Sequence, residues 1–421
     1  MFSNHWTIKI WLIFLLLLGA CGDSQSARTN NQPQQESLQG SISIWKELPI
    51  GLPATQSSNF EAFIRSQVKD FARLNPDANI TVKFIPSRES IAPFIKQSGR
   101  GAGPNLLWLS FTLELNQLIE SGSLQVLDNY PIDLSSFRPR ALQQVRYQGQ
   151  LYGIPTSMET QVLCYNKDKV KQPPDTLSEL ITQARTGYSV GLESSFFRTF
   201  WGTGIFGGRP FDDRGRFTAG EGWAKWMEWL KGAQDEPNFF LIDEAEELQR
   251  LFVAKKLAYI TCESGWIPAL REAIGKDSLG ITLLPHATNR PATSPLLSNI
   301  LFFNRASSPN QTRLALKLAQ FLTNAAQQRK SLAALPFAIP VNSNVTVDPR
   351  LYPLQATLRD QSRSGVVRSL TQIQNLEGKR DDLNLLYQKV LGGEISPDKA
   401  VADLTRTFNA PSEAKPSGDG R

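Results

Sequence analysis

The chain has 421 residues, 45 Lys and Arg against 39 Asp and Glu for a formal net charge of +6, two His and three Cys. A chain of this length exceeds the roughly 250–300 residues that one hydrophobic core serves, so two lobes are expected. His5 and His286 alone exclude a histidine-rich zinc centre, no metal or cofactor is expected, and mixed charge without basic stripes among aromatics argues against nucleic acid.

At the amino end Lys9 precedes an uncharged apolar run, residues 10–20, and polar Ser24, Gln25 and Ser26 follow. The run is far short of the roughly twenty residues a spanning helix needs, and its order of basic, apolar and small residues is that of an export signal. Residues 18–21, "LGAC", resemble the lipobox of bacterial lipoproteins, whose cysteine, here Cys21, takes a diacylglycerol and becomes the new amino terminus. An ordinary secretory signal is the alternative. Acyl chains contribute about 0.8 kcal/mol per buried methylene, so two or three would hold the protein on a membrane. Residues 22–39 are rich in Ser, Gln, Asn and Arg and read as a flexible tether, and "APSEAKPSGDGR" reads as a frayed tail.

Beyond the tether, "SISIW" alternates as a strand and ends on Trp45. Phe60, Phe63, Ile64, Val68, Phe71 and Leu74 then recur at three- and four-residue steps, the buried stripe of a helix. "ITVKFIP" is a strand, "IAPFIKQSG" a helix and "LLWLS" a strand. Such alternation predicts an α/β fold of parallel strands joined by helical crossovers, with ligands at the carboxyl ends of the strands, where Trp45, Trp108 and Ser110 fall. A helix is expected around residues 113–119, and "TSMETQVLCYNKDKV" reads as a long strand running into a short helix. Thr176 and Glu179 form a capping box before the next helix. "YSVGLES" is a strand, and "GEGWAKWMEWLKG" puts Trp223, Trp226, Met227 and Leu230 on one helical face. "LQRLFVAKKLAYITCESGW" is helix, turn, strand and loop; "GITLLP" is a strand; residues 310–322 form a helix, and after "LPFAIPVNS" the chain is mainly helical to about 408. Cys164 and Cys262 lie in apolar runs and read as buried free thiols, a disulfide in an oxidising compartment being the alternative.

"GTGIFG" fits the dinucleotide fingerprint by letter, but the turn-forming "GRPFDDRG" follows where a helix should open. Nucleophile elbows of the GxSxG type do not occur. Trp45, Trp108, Trp201 and Trp266 stand outside helical stripes, and Glu159, Glu193, Glu263 and Asn299 sit near strand ends. Flat aromatic surfaces cover the C–H faces of sugars, and carboxylates and amides bond their hydroxyls. Each tryptophan taken alone is a core candidate. The same carboxylates could serve a glycosidase, but their spacing selects no pair.

"SISIWKELP", "FARLNPDANITVKFIP", "GPNLLWLS", "LYGIPTSMETQVLCYNKDKV", "PPDTLSELITQA" and "FVAKKLAYITCESGW" come in an order that resembles the sugar-binding solute-binding proteins of ABC importers (family 1), the group that contains maltodextrin-binding protein. The resemblance implies a two-lobed fold of the type II periplasmic-binding class, with a ligand cleft between lobes joined by hinge strands. It sets a signal at 1–20, a tether at 21–40, lobe one at 41–152 plus 297–337, lobe two at 153–296 plus 338–408, and a disordered tail at 409–421. Hinges are implied near Gly153, Leu297 and Pro340. Trp45 matches the cleft end of the first strand; Ser110 and Thr112 lie in a ligand-bonding loop; Glu159 is hinge-side; Glu193, Phe196 and Trp266 match ligand-touching positions. The chain departs from the family at Asn105, usually Asp, and at Ser264-Gly265, usually Gly-Pro. The expected protein is a monomeric receptor, not an enzyme, anchored by Cys21 in the periplasm or on the outer face of the cytoplasmic membrane. It would pass a sugar or sugar-like polyol to a permease. A secreted glycoside hydrolase, or the same fold binding a polyamine or phosphorylated polyol, is the alternative.

Overall fold

The computed structural model describes residues 38–49, 53–112, 114–209, 218, 220–287, 289–372 and 379–409. The expected signal, Cys21, the tether up to residue 37 and the tail after 409 lie outside them. Among the described residues no helix is long and apolar enough to cross a membrane.

β1 (Gly40–Glu47), β2 (Ala78–Ile85) and β3 (Leu106–Ser110) form a parallel unit in the order β2-β1-β3. The helices Ala54–Leu74 and Ile91–Ser98 connect these strands, as alternating patterns require. The first buries Phe60, Ile64, Val68 and Phe71, whereas Leu74, its last residue, stays 70% exposed because the helix ends there. A short hairpin, β4 (Arg146–Tyr147) with β5 (Gln150–Leu151), leads into β6 (Gly153–Asn166). β7 (Val190–Glu193), β8 (Phe239–Ile242) and β9 (Tyr259–Glu263) build a second parallel unit.

The two units are joined through β6. β10 (Leu279–Thr282), β11 (Pro295–Phe303) and β12 (Ile339–Pro340) pair with it antiparallel, and β13 (Val366–Val367) pairs with β11 in parallel. The main path through the sheet is β2-β1-β3-β11-β6-β9-β7-β8. β6 is the strand that spans both units: from Gly153 to Thr160 it pairs with β11, and from Gln161 to Tyr165 with β9. At ~3.3 Å per residue its length is about 46 Å. From Leu38 onward the chain is one compact unit, so the two halves share a sheet rather than separate into independent bodies.

One buried cluster packs Ile42, Ile44, Leu107, Leu109 and Leu301 against Ile64, Phe71 and Leu318. A second gathers Leu192, Trp201, Trp223, Trp226, Tyr259 and Tyr387. The helical face expected at Trp223, Trp226, Met227 and Leu230 is buried as read, and the Thr176–Glu179 capping box forms. "GTGIFG" is part of a 3-10 turn, Phe200–Phe206, in which a side chain on Gly202 would run into the Trp226 ring. The short helix expected after β6 is a turn instead. Asn166 accepts the Asp168 N–H through its side chain (2.9 Å) and the Val170 N–H through its carbonyl (2.9 Å), and Pro173 and Pro174 follow too soon for a helix.

Cys164 and Cys262 are buried, but they are joined, which corrects the free-thiol reading. β6 and β9 are antiparallel with Val162 opposite Cys262 and Cys164 opposite Ile260, so the two cysteines are diagonal neighbours with Cα atoms 5.8 Å apart. The bond closes a sequence separation of 98 residues, worth about 4–5 kcal/mol in the chain-entropy account. Replacing both cysteines with alanine is expected to lower the urea-unfolding free energy by about 3–4 kcal/mol at neutral pH, less than the entropic figure because the reduced chain keeps residual structure. A loss below about 1 kcal/mol would show that the bond does not restrain the unfolded chain.

Candidate functional site

Strand alternation places Ile42, Ile44 and Lys46 on one face of β1, so a lysine occupies a position that the pattern reserves for the core. Lys46 is 2% exposed, and its ammonium lies 5.0 Å from the Trp108 ring centroid and 5.5 Å from that of Phe60. Register carries the same face across the sheet: Lys46 stands opposite Trp108, and Ser110 opposite Asn299.

Asn299 is the hub. Its Oδ1 accepts from Lys46 Nζ (3.3 Å) and Ser110 Oγ (3.0 Å), and its Nδ2 donates to Glu159 Oε1 (2.6 Å). Its backbone carbonyl accepts from Thr156 Oγ1 (3.0 Å), which in turn accepts from Trp108 Nε1 (3.0 Å). Burial pushes the Lys46 ammonium down to about 8, held from falling further by Glu47 and Glu159. Burial raises the Glu159 carboxyl, opposed by the Asn299 bond and by Lys46. Glu47 accepts from Ser90 Oγ at 2.6 Å.

A second group lies at the carboxyl ends of β7 and β9. Arg198, on the short helix Phe196–Thr199, pairs with Glu263 and lies 3.5 Å from Glu193. Ser195 Oγ donates to Glu193 at 3.4 Å. Burial raises the Glu193 carboxyl; Arg198 and the Ser195 bond oppose that, while Glu246 and Glu244 add to it. Burial lowers the Arg198 guanidinium, and Glu193 supports its charge. Arg368, just past β13, sits with its guanidinium 5.7 Å from the Phe197 ring; burial, with Arg198 beside it, pushes it down to about 10.

The two groups meet along β6, where Gln161 faces Glu263 and Glu159 is two residues back on the same face. A Cβ on Gly265 would stand 3.1 Å from Glu159 Oε2, so the missing side chain brings the 264–266 turn against that carboxylate. Glu159, Arg198, Glu263 and Arg368 each keep contact with solvent, and Glu159, Arg198 and Arg368 lie deep enough for burial to shift their protonation. These four side chains are therefore half-buried, neither free surface charges nor sealed in a core.

The structure thus brings Ser110, Glu159 and Asn299 into one network, and Glu193 and Glu263 into another. It does not bring the tryptophans together as a wall. Trp45 lies on the face of β1 opposite Lys46, with the Lys83 ammonium 5.5 Å from its ring. Trp108 is a mid-strand residue, 5% exposed, backing Lys46 rather than ending its strand. Trp201 is fully buried, 4.9 Å from Trp226, and Phe196 stacks on Trp223 at 4.6 Å; both are core, because loop position in sequence does not forbid burial in space. Thr112 Oγ1 accepts from the Glu114 N–H (3.2 Å) in the turn ahead of the helix Leu115–Glu120. Trp266 is buried at 9% in the first cluster, beside the turn that meets Glu159. Lys46, Arg198 and Arg368 were missed. The β1 alternation carried a signal for Lys46; nothing local marked the arginines.

Because the folded state releases the Lys46 proton near pH 8 while the unfolded chain holds it to about 10.5, the unfolded state binds more protons in between. Stability is therefore expected to rise across pH 8 to 10.5, by about 3 kcal/mol, relative to Lys46→Met. Paired urea titrations measure this; parallel pH profiles for the two proteins would refute the buried-ammonium geometry.

Comparison with known proteins places this geometry in context. Residues 66–351 match the family described as bacterial extracellular solute-binding protein. The chain is 23% identical over 423 residues to a galactooligosaccharide-binding protein of Bacillus subtilis, covering 96% of each. It is 28% identical over 144 residues to a maltotriose-binding protein of Pyrococcus abyssi, a match that spans 34% of this chain and only 29% of that protein. Among solved structures, a cyclo/maltodextrin-binding protein complexed with maltotetraose shares the fold, with a TM-score of 0.75 at 19% identity over 89% of this chain and 98% of that one. The α/β halves, the mixed sheet joining them and a family match over most of the chain establish that this protein belongs to the bacterial extracellular solute-binding proteins.

Proposed function

We propose that this protein is an extracytoplasmic receptor that binds a saccharide in the recess between its two halves and hands it unchanged to an ABC permease. The observation that carries the reading is the Asn299 hub. A sugar hydroxyl both donates and accepts; Ser110 and Glu159 are half-buried, and the buried Asn299 amide between them bonds to both, so an acceptor and a hydroxyl are held at a fixed spacing. Glu193 and Glu263 share one guanidinium, which suits fixed hydroxyl recognition better than the separated acid and base of a hydrolase. Similarity to galactooligosaccharide- and maltotriose-binding proteins supports the same ligand class. We assign ligand contacts to Ser110, Glu159, Asn299, Glu193, Glu263 and Trp266, and leave Trp201 and Phe196 to the core.

Closure would bend the halves, residues 41–152 plus 297–337 and 153–296 plus 338–408, about the strands that cross between them. In support, β11 and β12 flank β6 at one level, Leu297 opposite Glu159 and Pro340 opposite Ser157. In this reading the receptor acts as a monomer. Cys21 would tether it by lipid to the outer face of the membrane, raising its effective concentration at the permease. The disulfide fits an oxidising compartment.

Calorimetry with maltotriose and galactotriose is expected to show binding, with the sugar recovered intact by chromatography. Glu159→Gln and Asn299→Ala should each weaken it at least tenfold, about 1.4 kcal/mol. Silence with every neutral and acidic saccharide, or shortened products, would end the receptor reading. Mass spectrometry of the exported protein is expected to find a diacylglyceryl cysteine at position 21; a plain cysteine there would remove the anchor.

A further inference from the structure

Among the described residues the charges around Arg198 are matched, and that of Arg368 is not. Arg198 has Glu193 and Glu263 as partners, and lies within electrostatic reach of Glu246 and of two further cations, Arg88 and Arg380. Arg368 has no ion pair among the described residues. Its Nε is buried without a hydrogen-bond partner, its aromatic contact is the Phe197 ring, and the charge it feels is a like one, Arg198. A guanidinium stays protonated at neutral pH, and losing its hydration without a counter-charge is expensive; a single ring face recovers only a small part of that.

Neutral hydroxyls would supply bonds to such a group but not charge. An anionic oxygen pair supplies both, since the planar fork of arginine fits carboxylate and phosphate with two parallel bonds. Arg368 keeps partial solvent contact and lies within electrostatic reach of Arg198, which Glu193 and Glu263 hold.

We propose that the saccharide this receptor takes carries an acidic group, a carboxylate or a phosphate ester, which binds the guanidinium of Arg368. This rests on the receptor reading and names its substrate class.

The test is calorimetry on the full chain with galactobiose, digalacturonate, galactose 1-phosphate and inorganic phosphate. One of the two acidic sugars is expected to bind at least tenfold tighter than galactobiose, and which one does so identifies the group as carboxylate or phosphate ester. In Arg368→Gln the preference should fall below threefold, and Arg368→Lys should retain part of it, with thermal melts verifying that each variant folds. Should Arg368→Gln not fold, the wild-type ratio and the lysine variant decide. Galactobiose binding as tightly as both acidic sugars, or an undiminished preference in Arg368→Gln, overturns this proposal and leaves the receptor reading intact. No saccharide bound at all, with or without inorganic phosphate, overturns the receptor reading itself.

Discussion

A buried ammonium and a half-buried carboxylate share one amide, and the centre of the molecule is arranged around that fact. Asn299 can serve both because its oxygen accepts and its nitrogen donates, so Lys46 and Glu159 are each satisfied without touching. Either charge alone at that depth would cost several kcal/mol; linked through the amide, they keep opposite signs close in a medium that screens weakly. The arrangement demands that β1, β3, β11 and β6 hold their register, since a slip of one residue would turn every member to the wrong face.

That register also sets the two polar groups side by side. β6 carries Glu159 at the point where it leaves β11 and takes up β9, so the first network and the Arg198 group are adjacent by construction. The disulfide pins β6 to β9 just beyond, with Cα atoms 5.8 Å apart.

Much of the fold was legible from local pattern. The strand at "SISIW", the helix carrying Phe60, Ile64, Val68 and Phe71, and the Thr176–Glu179 cap all depend on residues within a few positions of one another. The site was legible in part. Glu159, Ser110 and Asn299 meet as expected of residues near strand ends, whereas Trp201, read from its place outside a helical stripe, and Phe196, implied only by the family resemblance, pack into the second core. Position near a strand end cannot tell a residue that faces water from one that faces a neighbouring helix.

Sequence alone determined the periods, the caps, the stops and the alternation of strands and helices, because propensity and amphipathic pattern act over a turn or a pleat. Tertiary structure decided what touches what: Lys46 and Asn299 are 253 residues apart, and Cys164 and Cys262 are 98 apart. It alone left Arg368 without a carboxylate among the described residues while giving Arg198 two. Such pairings follow from which strands lie side by side and in what register, and no short window of residues contains that information.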